Sequence, residues 1–179
     1  MRIAIIGAGN VGATLGRRFA DAGHAVIHGV RSPDDSKHAG IARDGVTLDT
    51  IAGAVASADV AILATTWAAA QDAVRAAGNF GGKVLIDATN PIGPGMVLTH
   101  GTTDSGTEQV ARWAVNARVV KAFNSIGVEV MANAQFGADR AVLFMAGDDA
   151  AACDIVATLA SDIGFLPVTL GPLVRARVI

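Results

Sequence analysis

The chain has no tyrosine, a single cysteine and no surplus of positive charge. Each shortage excludes a class of protein. Without tyrosine there can be no Ser-x-x-x-Tyr-x-x-x-Lys arrangement for carbonyl reduction. The lone Cys153 cannot close an internal disulfide and has no Cys/His cluster beside it, which fits a reducing, cytoplasmic setting. A formal net charge of −2 offers nothing to a phosphate backbone, so nucleic acid is not an expected partner. No apolar run reaches the ~18 residues of a membrane span. The run Ile3–Ile6 is too short for the core of a secretion signal, and glycines and Arg17-Arg18 follow it. HExxH, paired cysteines and spaced carboxylate dyads are also missing, and His24, His28 and His38 lack metal-ligand spacing. No metal and no acid–base catalytic residue is expected.

What is present is 51% hydrophobic residues, dispersed over many short runs. Strands are expected at 2–6, 25–30, 59–64, 83–87, 118–122 and 141–146. Helices are expected at 11–22, 50–58, 67–77, 105–114 and 148–163. Continuous apolar strands alternating with alanine-rich helices imply an α/β fold, a Rossmann-type doubly wound, mostly parallel sheet in one domain spanning 1–179. The conspicuous irregular stretch is 90–104, rich in Gly, Pro and Thr, and a loop of that length is usually functional. It ends at Ser105-Gly106-Thr107-Glu108, which has capping-box spacing and places a helix N-terminus beside the loop.

The sharpest motif is Gly7-Ala8-Gly9-Asn10-Val11-Gly12, lying between a strand and a helix with a second strand after it. Gly7 permits a tight turn, Gly9 keeps a side chain from between backbone and pyrophosphate, and Gly12 lets helix and strand pack closely. The N–H groups opening the helix then face the phosphates. At the end of the second strand an acidic residue would select NAD; here stand Arg31 and Ser32. A guanidinium can grip a 2′-phosphate bidentately, so the expected cofactor is NADP(H), with Lys37 as a candidate third contact.

Ligands of such sheets lie at the carboxyl ends of strands. That places Ala64, Thr65, Thr66 and Trp67, and then Ala88, Thr89 and Asn90, along the cofactor's path. Trp67 either closes over the cofactor or staples the start of its helix. Asp87 serves to fix the turn through nearby backbone N–H groups.

The ordered set GAGNVG, VRSP, DATNP, SGTEQVARW and VVKAFNSIG resembles the coenzyme F420-dependent NADP oxidoreductases and, more distantly, the reductase domains of STEAP-type metalloreductases. The resemblance implies direct hydride exchange between NADP(H) and a planar small-molecule acceptor, coenzyme F420 or a flavin, in a homodimer, with no catalytic side chain. It implies that Phe123 and Asn124 lie near the nicotinamide. Lys121 either faces an anionic acceptor or is solvated, and His100 is a candidate acceptor contact. In relatives the segment 171–179 leads into a further helix that covers the acceptor site, and that helix is expected to be absent here. The alternatives are a non-catalytic NADP(H) redox sensor and a reductase of small carbonyl or imine substrates.

Overall fold

Strands that read as unbroken apolar runs need cover on both faces, and the chain supplies it by alternating strand and helix. The computed structural model describes residues 1–38, 40–42 and 45–179, the side chain of Lys37 excepted. The order is β1 (Arg2–Ile6), α1 (Asn10–Asp21), β2 (Ala25–Val30), β3 (Val46–Thr50), α2 (Ile51–Ser57), β4 (Val60–Leu63), α3 (Trp67–Ala77), β5 (Val84–Asp87), α4 (Gly106–Trp113), β6 (Arg118–Lys121), α5 (Val128–Ala132), β7 (Gln135–Phe136), β8 (Asp139–Arg140), β9 (Val142–Gly147), α6 (Ala150–Asp162) and β10 (Leu166–Thr169). Tight helical turns lie at Ser36–His38, Pro94–Met96 and Leu173–Val178.

The main sheet has eight strands in the order β10-β9-β6-β5-β4-β1-β2-β3. All neighbours are parallel except β6 and β9, which meet in the antiparallel register Val120↔Gly147 and Lys121↔Ala146. From β1 the order runs outward in both directions, to β2 and β3 on one side and to β4 and β5 on the other. The carboxyl end of β1 is therefore the switch point where the flanking connections part and leave a crevice.

The two faces carry separate cores. Leu15 and Phe19 of α1, Met131 of α5, and Val156 and Leu159 of α6 pack on one face with Ile3, Ile5 and Ile62. Ile51 and Val55 of α2, Val74 of α3 and Val110 of α4 pack on the other with Ala4, Ile6 and Leu63. No helix among the described residues is long and apolar enough to cross a membrane.

Every expected element is found, with ends shifted by one or two residues, and β1, β2 and α3 keep the expected bounds. Sequence reading missed β3, β10, α5 and the small β7–β8 hairpin. β3 and β10 are the outer strands, and β10 contains Pro167, a residue tolerated only where a backbone donor is not needed. The loop 90–104 is partly ordered, by an Ile92↔Leu98 bridge around the turn Pro94–Met96.

Candidate functional site: a glycine cradle at the switch point

The crevice at the ends of β1, β2 and β4 has a volume of about 450 Å³. Gly7, Ala8 and Gly9 of the loop, Arg31 and Ser32 after β2, and Ala64, Thr65 and Thr66 after β4 all line it. His38 and Asp72 also line it, and sequence reading anticipated neither.

Each glycine of the loop is there for a different reason. Gly7 has φ +117°, and a Cβ on it would stand 2.5 Å from the Ala64 carbonyl oxygen. A Cβ on Gly12 would stand 2.6 Å from the Gly7 carbonyl oxygen and 3.3 Å from Ile5 Cγ2, so this glycine lets α1 lie against β1. A Cβ on Gly9 would meet nothing within 4 Å. Its side of the loop is open space in the crevice, where a backbone-hugging pyrophosphate needs room. Gly9 also caps α1 without a side-chain hydrogen bond, leaving the helix's first N–H groups for a ligand.

Two further observations fit a bound dinucleotide. Thr65 Oγ1 is buried against the crevice wall with no hydrogen-bond partner among the described residues, and buried hydroxyls are seldom left so. Arg31 is exposed and finds no ion-pair partner among the described residues, so its guanidinium is available. The Lys37 side chain lies outside the described residues.

His28, for which no role was expected, is buried on β2 directly beneath the loop. Its Nδ1 lies 2.9 Å from the Gly7 carbonyl oxygen and donates to it. Burial pulls the imidazole below its ordinary pKa, against the opposing pull of that carbonyl.

The strand ends of β5 and β6 continue the line beyond the crevice. Asp87 is wholly buried and has four donors. The Thr89 N–H (2.9 Å) and hydroxyl (2.7 Å) reach Oδ1, while the Thr107 hydroxyl (2.7 Å) and Lys121 Nζ (3.2 Å) reach Oδ2. Lys121 also donates to the Thr89 carbonyl. Asp87 thus fixes the turn as expected, but both readings of Lys121 are corrected. It is neither solvated nor turned to an acceptor; only 3% of its side chain is exposed, because the buried carboxylate needs a counter-charge.

Thr89 is correspondingly buried, whereas Asn90 is exposed. Asn90 Nδ2 donates to the Asn124 carbonyl, and Asn124 Nδ2 donates back to Asn90 Oδ1 and to the Ile179 carbonyl, tying β5, β6 and the last turn together. Asn124 Oδ1 is left buried without a partner among the described residues. The Phe123 ring is fully buried, edge-on to Phe19 and Phe165, and its backbone turns there at φ +69°.

Trp67 is the first residue of α3. Its indole packs on Trp113 of α4 at 5.4 Å and edge-on to His100, and with Pro91 it crowds the place a Cβ on Gly106 would take, at 3.2 and 3.1 Å. His100 is occupied there and by the Thr99 hydroxyl. The capping box is present: Ser105 Oγ accepts from the Glu108 N–H, and Glu108 accepts from the Ser105 N–H. The Arg177 guanidinium grips Glu108 at 2.6 and 2.8 Å, which with the Ser105 donors brings its carboxyl down to about 2.

Fold and cradle together define the dinucleotide-binding Rossmann class of oxidoreductases. Comparison with known proteins narrows this. Residues 2–91 match the family model described as NADP oxidoreductase, coenzyme F420-dependent. Over the whole chain the protein is 34% identical to the F420-dependent NADP reductase of Methanothermobacter thermautotrophicus, covering 84% of that protein. The chain belongs to the F420-dependent NADP oxidoreductase family. A solved structure from Arthrobacter sp. FB24, described as an F420-dependent NADP-reductase, superposes with TM-score 0.88 at 34% identity, over 98% of this chain and 86% of that one. The chain is also 29% identical to the metalloreductase STEAP3 of Rattus norvegicus, but spans only 35% of it. Imine reductases such as that of a Pseudomonas species share the fold alone, at 19% identity and TM-score 0.72.

Proposed function

We propose that this protein is an NADPH-dependent oxidoreductase that passes hydride directly between the nicotinamide and a planar acceptor, a deazaflavin such as coenzyme F420 or a flavin. The observation that carries the reading is one crevice in which the glycine cradle meets Arg31, which has no ion-pair partner among the described residues. NADP(H), when bound, supplies the hydride chemistry. The protein supplies position: the loop Gly7–Gly12 and the start of α1 hold the pyrophosphate by backbone N–H groups, and Arg31 with Ser32 holds the 2′-phosphate. Ala64, Thr65 and Thr66 line the path onward, and Ala88, Thr89, Asn90, Asn124 and the Phe123 backbone form the nicotinamide end. Among the described residues, the Thr65 hydroxyl and Asn124 Oδ1 are buried polar atoms on that line without a partner, which a ligand would complete. With two rings held face to face, no side chain needs to take or give a proton. The archaeal relative, named an F420-dependent NADP reductase, supports the acceptor class.

The test is NADPH oxidation by the purified protein with F420, FMN, FAD and a quinone in turn. The reading expects turnover with at least one planar acceptor and little with NADH. Failure with all four would leave NADP(H) binding without catalysis, as in a redox sensor. A single domain over 1–179 acting as a homodimer completes the proposal. The exposed Val142, Phe144 and Leu166 on β9 and the outer strand β10 are its support, and light scattering is its check.

A further inference from the structure

His28 and Gly16 face each other beneath the glycine loop. His28 is buried on β2 facing α1, beside Ile5 of β1. A Cβ on Gly16 would lie 2.5 Å from His28 Nε2, so α1 makes room for this imidazole only because residue 16 is glycine. On its other side the ring donates from Nδ1 to the Gly7 carbonyl at 2.9 Å, and no backbone N–H among the described residues does so.

The Gly7 carbonyl belongs to the same peptide unit as the Ala8 N–H. In a planar trans peptide the two point in opposite directions. Pinning the carbonyl down toward α1 therefore aims the Ala8 N–H up into the crevice that Gly7, Ala8 and Gly9 line. Turned the other way, the same unit would present a carbonyl oxygen to an anionic ligand. Gly7 can make that turn at little steric cost, since its backbone is not held by a side chain.

We infer that His28 is a positioning residue for dinucleotide binding: by holding the Gly7 carbonyl it keeps the Ala8 N–H directed at the pyrophosphate. Gly16 is the space that the ring requires. This rests on the proposed NADP(H) site and adds to it a residue that touches no ligand. Because the pyrophosphate is common to both nucleotides, loss of the bond weakens NADPH and NADH alike. Loss of Arg31 would instead act on NADPH alone.

The experiment is fluorescence titration of NADPH and NADH against the wild type, His28→Leu, His28→Asn and Gly16→Ala, with thermal melting of each. His28→Leu fills the space without a donor and should weaken both nucleotides about tenfold, the size of one lost hydrogen bond to a buried carbonyl. His28→Asn places an amide donor where Nδ1 stood and should bind within about threefold of the wild type. Gly16→Ala displaces the ring and should lose affinity for both nucleotides alike, with a melting loss from the crowding. Should His28→Leu not fold, NMR of the nitrogen-labelled wild type decides. The imidazole proton must sit on Nδ1, and NADPH must shift the Ala8 amide. A proton on Nε2, an unmoved Ala8 amide, or wild-type affinity in His28→Leu or Gly16→Ala overturns the inference and leaves the proposed function standing. A wild type that binds neither nucleotide sinks both.

Discussion

Replacing Lys121 by methionine removes the charge that faces Asp87 while keeping most of the apolar stem. Two donated hydrogen bonds disappear, one to Asp87 Oδ2 and one to the Thr89 carbonyl. Asp87 would remain fully buried, held by the Thr89 N–H and the hydroxyls of Thr89 and Thr107. Removing one partner of a buried ion pair costs about 3–5 kcal/mol. Three surviving donors put Lys121→Met at the low end, about 3 kcal/mol, which for a chain of this size lowers the melting point by roughly 6–12 °C. Urea denaturation followed by circular dichroism measures it directly. Asp87→Asn in the Lys121→Met background should be cheaper than in the wild type, because an amide can donate to Thr107 and no longer strands a charge, giving a coupling of about 0.5–3 kcal/mol. A Lys121→Met variant that melts within about 2 °C of the wild type, or two substitutions that simply add, would refute the claim that this pair organises the β5 turn.

The glycines of the loop should separate folding from binding. Gly9→Ala adds a methyl group to open crevice space, so stability is unchanged while NADPH affinity falls. Gly7→Ala forces a Cβ to 2.5 Å from the Ala64 carbonyl oxygen and should lower the melting temperature as well. Parallel melting and titration of the two variants check this, and equal melting losses would contradict it. The Glu108–Arg177 clasp carries an acid dependence. Glu108 is depressed from 4.5 to about 2 in the folded chain, so its stabilisation is fully present above pH 4.5 and is lost as the pH falls toward 2. The stability gap between wild type and Arg177→Met should therefore narrow over that window, and a gap independent of pH would count against the clasp. Ser105→Ala removes the α4 cap and should cost about 1 kcal/mol in denaturant unfolding.

What could be read from the sequence was whatever depends on neighbours along the chain. β2 is bounded by Gly23 and the polar turn at Ser32, and α3 by Thr66 and Gly78, so local signals set both ends. The glycine loop, Arg31 with Ser32, and the Ser105–Glu108 box are likewise local, and all stand where the pattern put them. The outer strand β3 was invisible because Val46-Thr47-Leu48-Asp49-Thr50 is only half covered and has no strong apolar run. Side-chain roles that depend on which face a residue takes were the least legible. His28 alternates onto the α1 face of β2 and so comes under the loop. Lys121 ends β6 pointing inward at Asp87 of the next strand, a pairing set by the register Asp87↔Lys121. Phe123 has a positive φ that turns its ring into the core. None of these follows from composition or spacing.

The central claim is that Arg31 makes this an NADP(H) site, and comparative titration tests it most directly. The wild type should bind NADPH at least tenfold more tightly than NADH, a gap of about 1.4 kcal/mol or more. Arg31→Ala should abolish that gap while leaving NADH affinity unchanged. Equal binding of the two nucleotides by the wild type, or a preference that survives Arg31→Ala, would contradict the account.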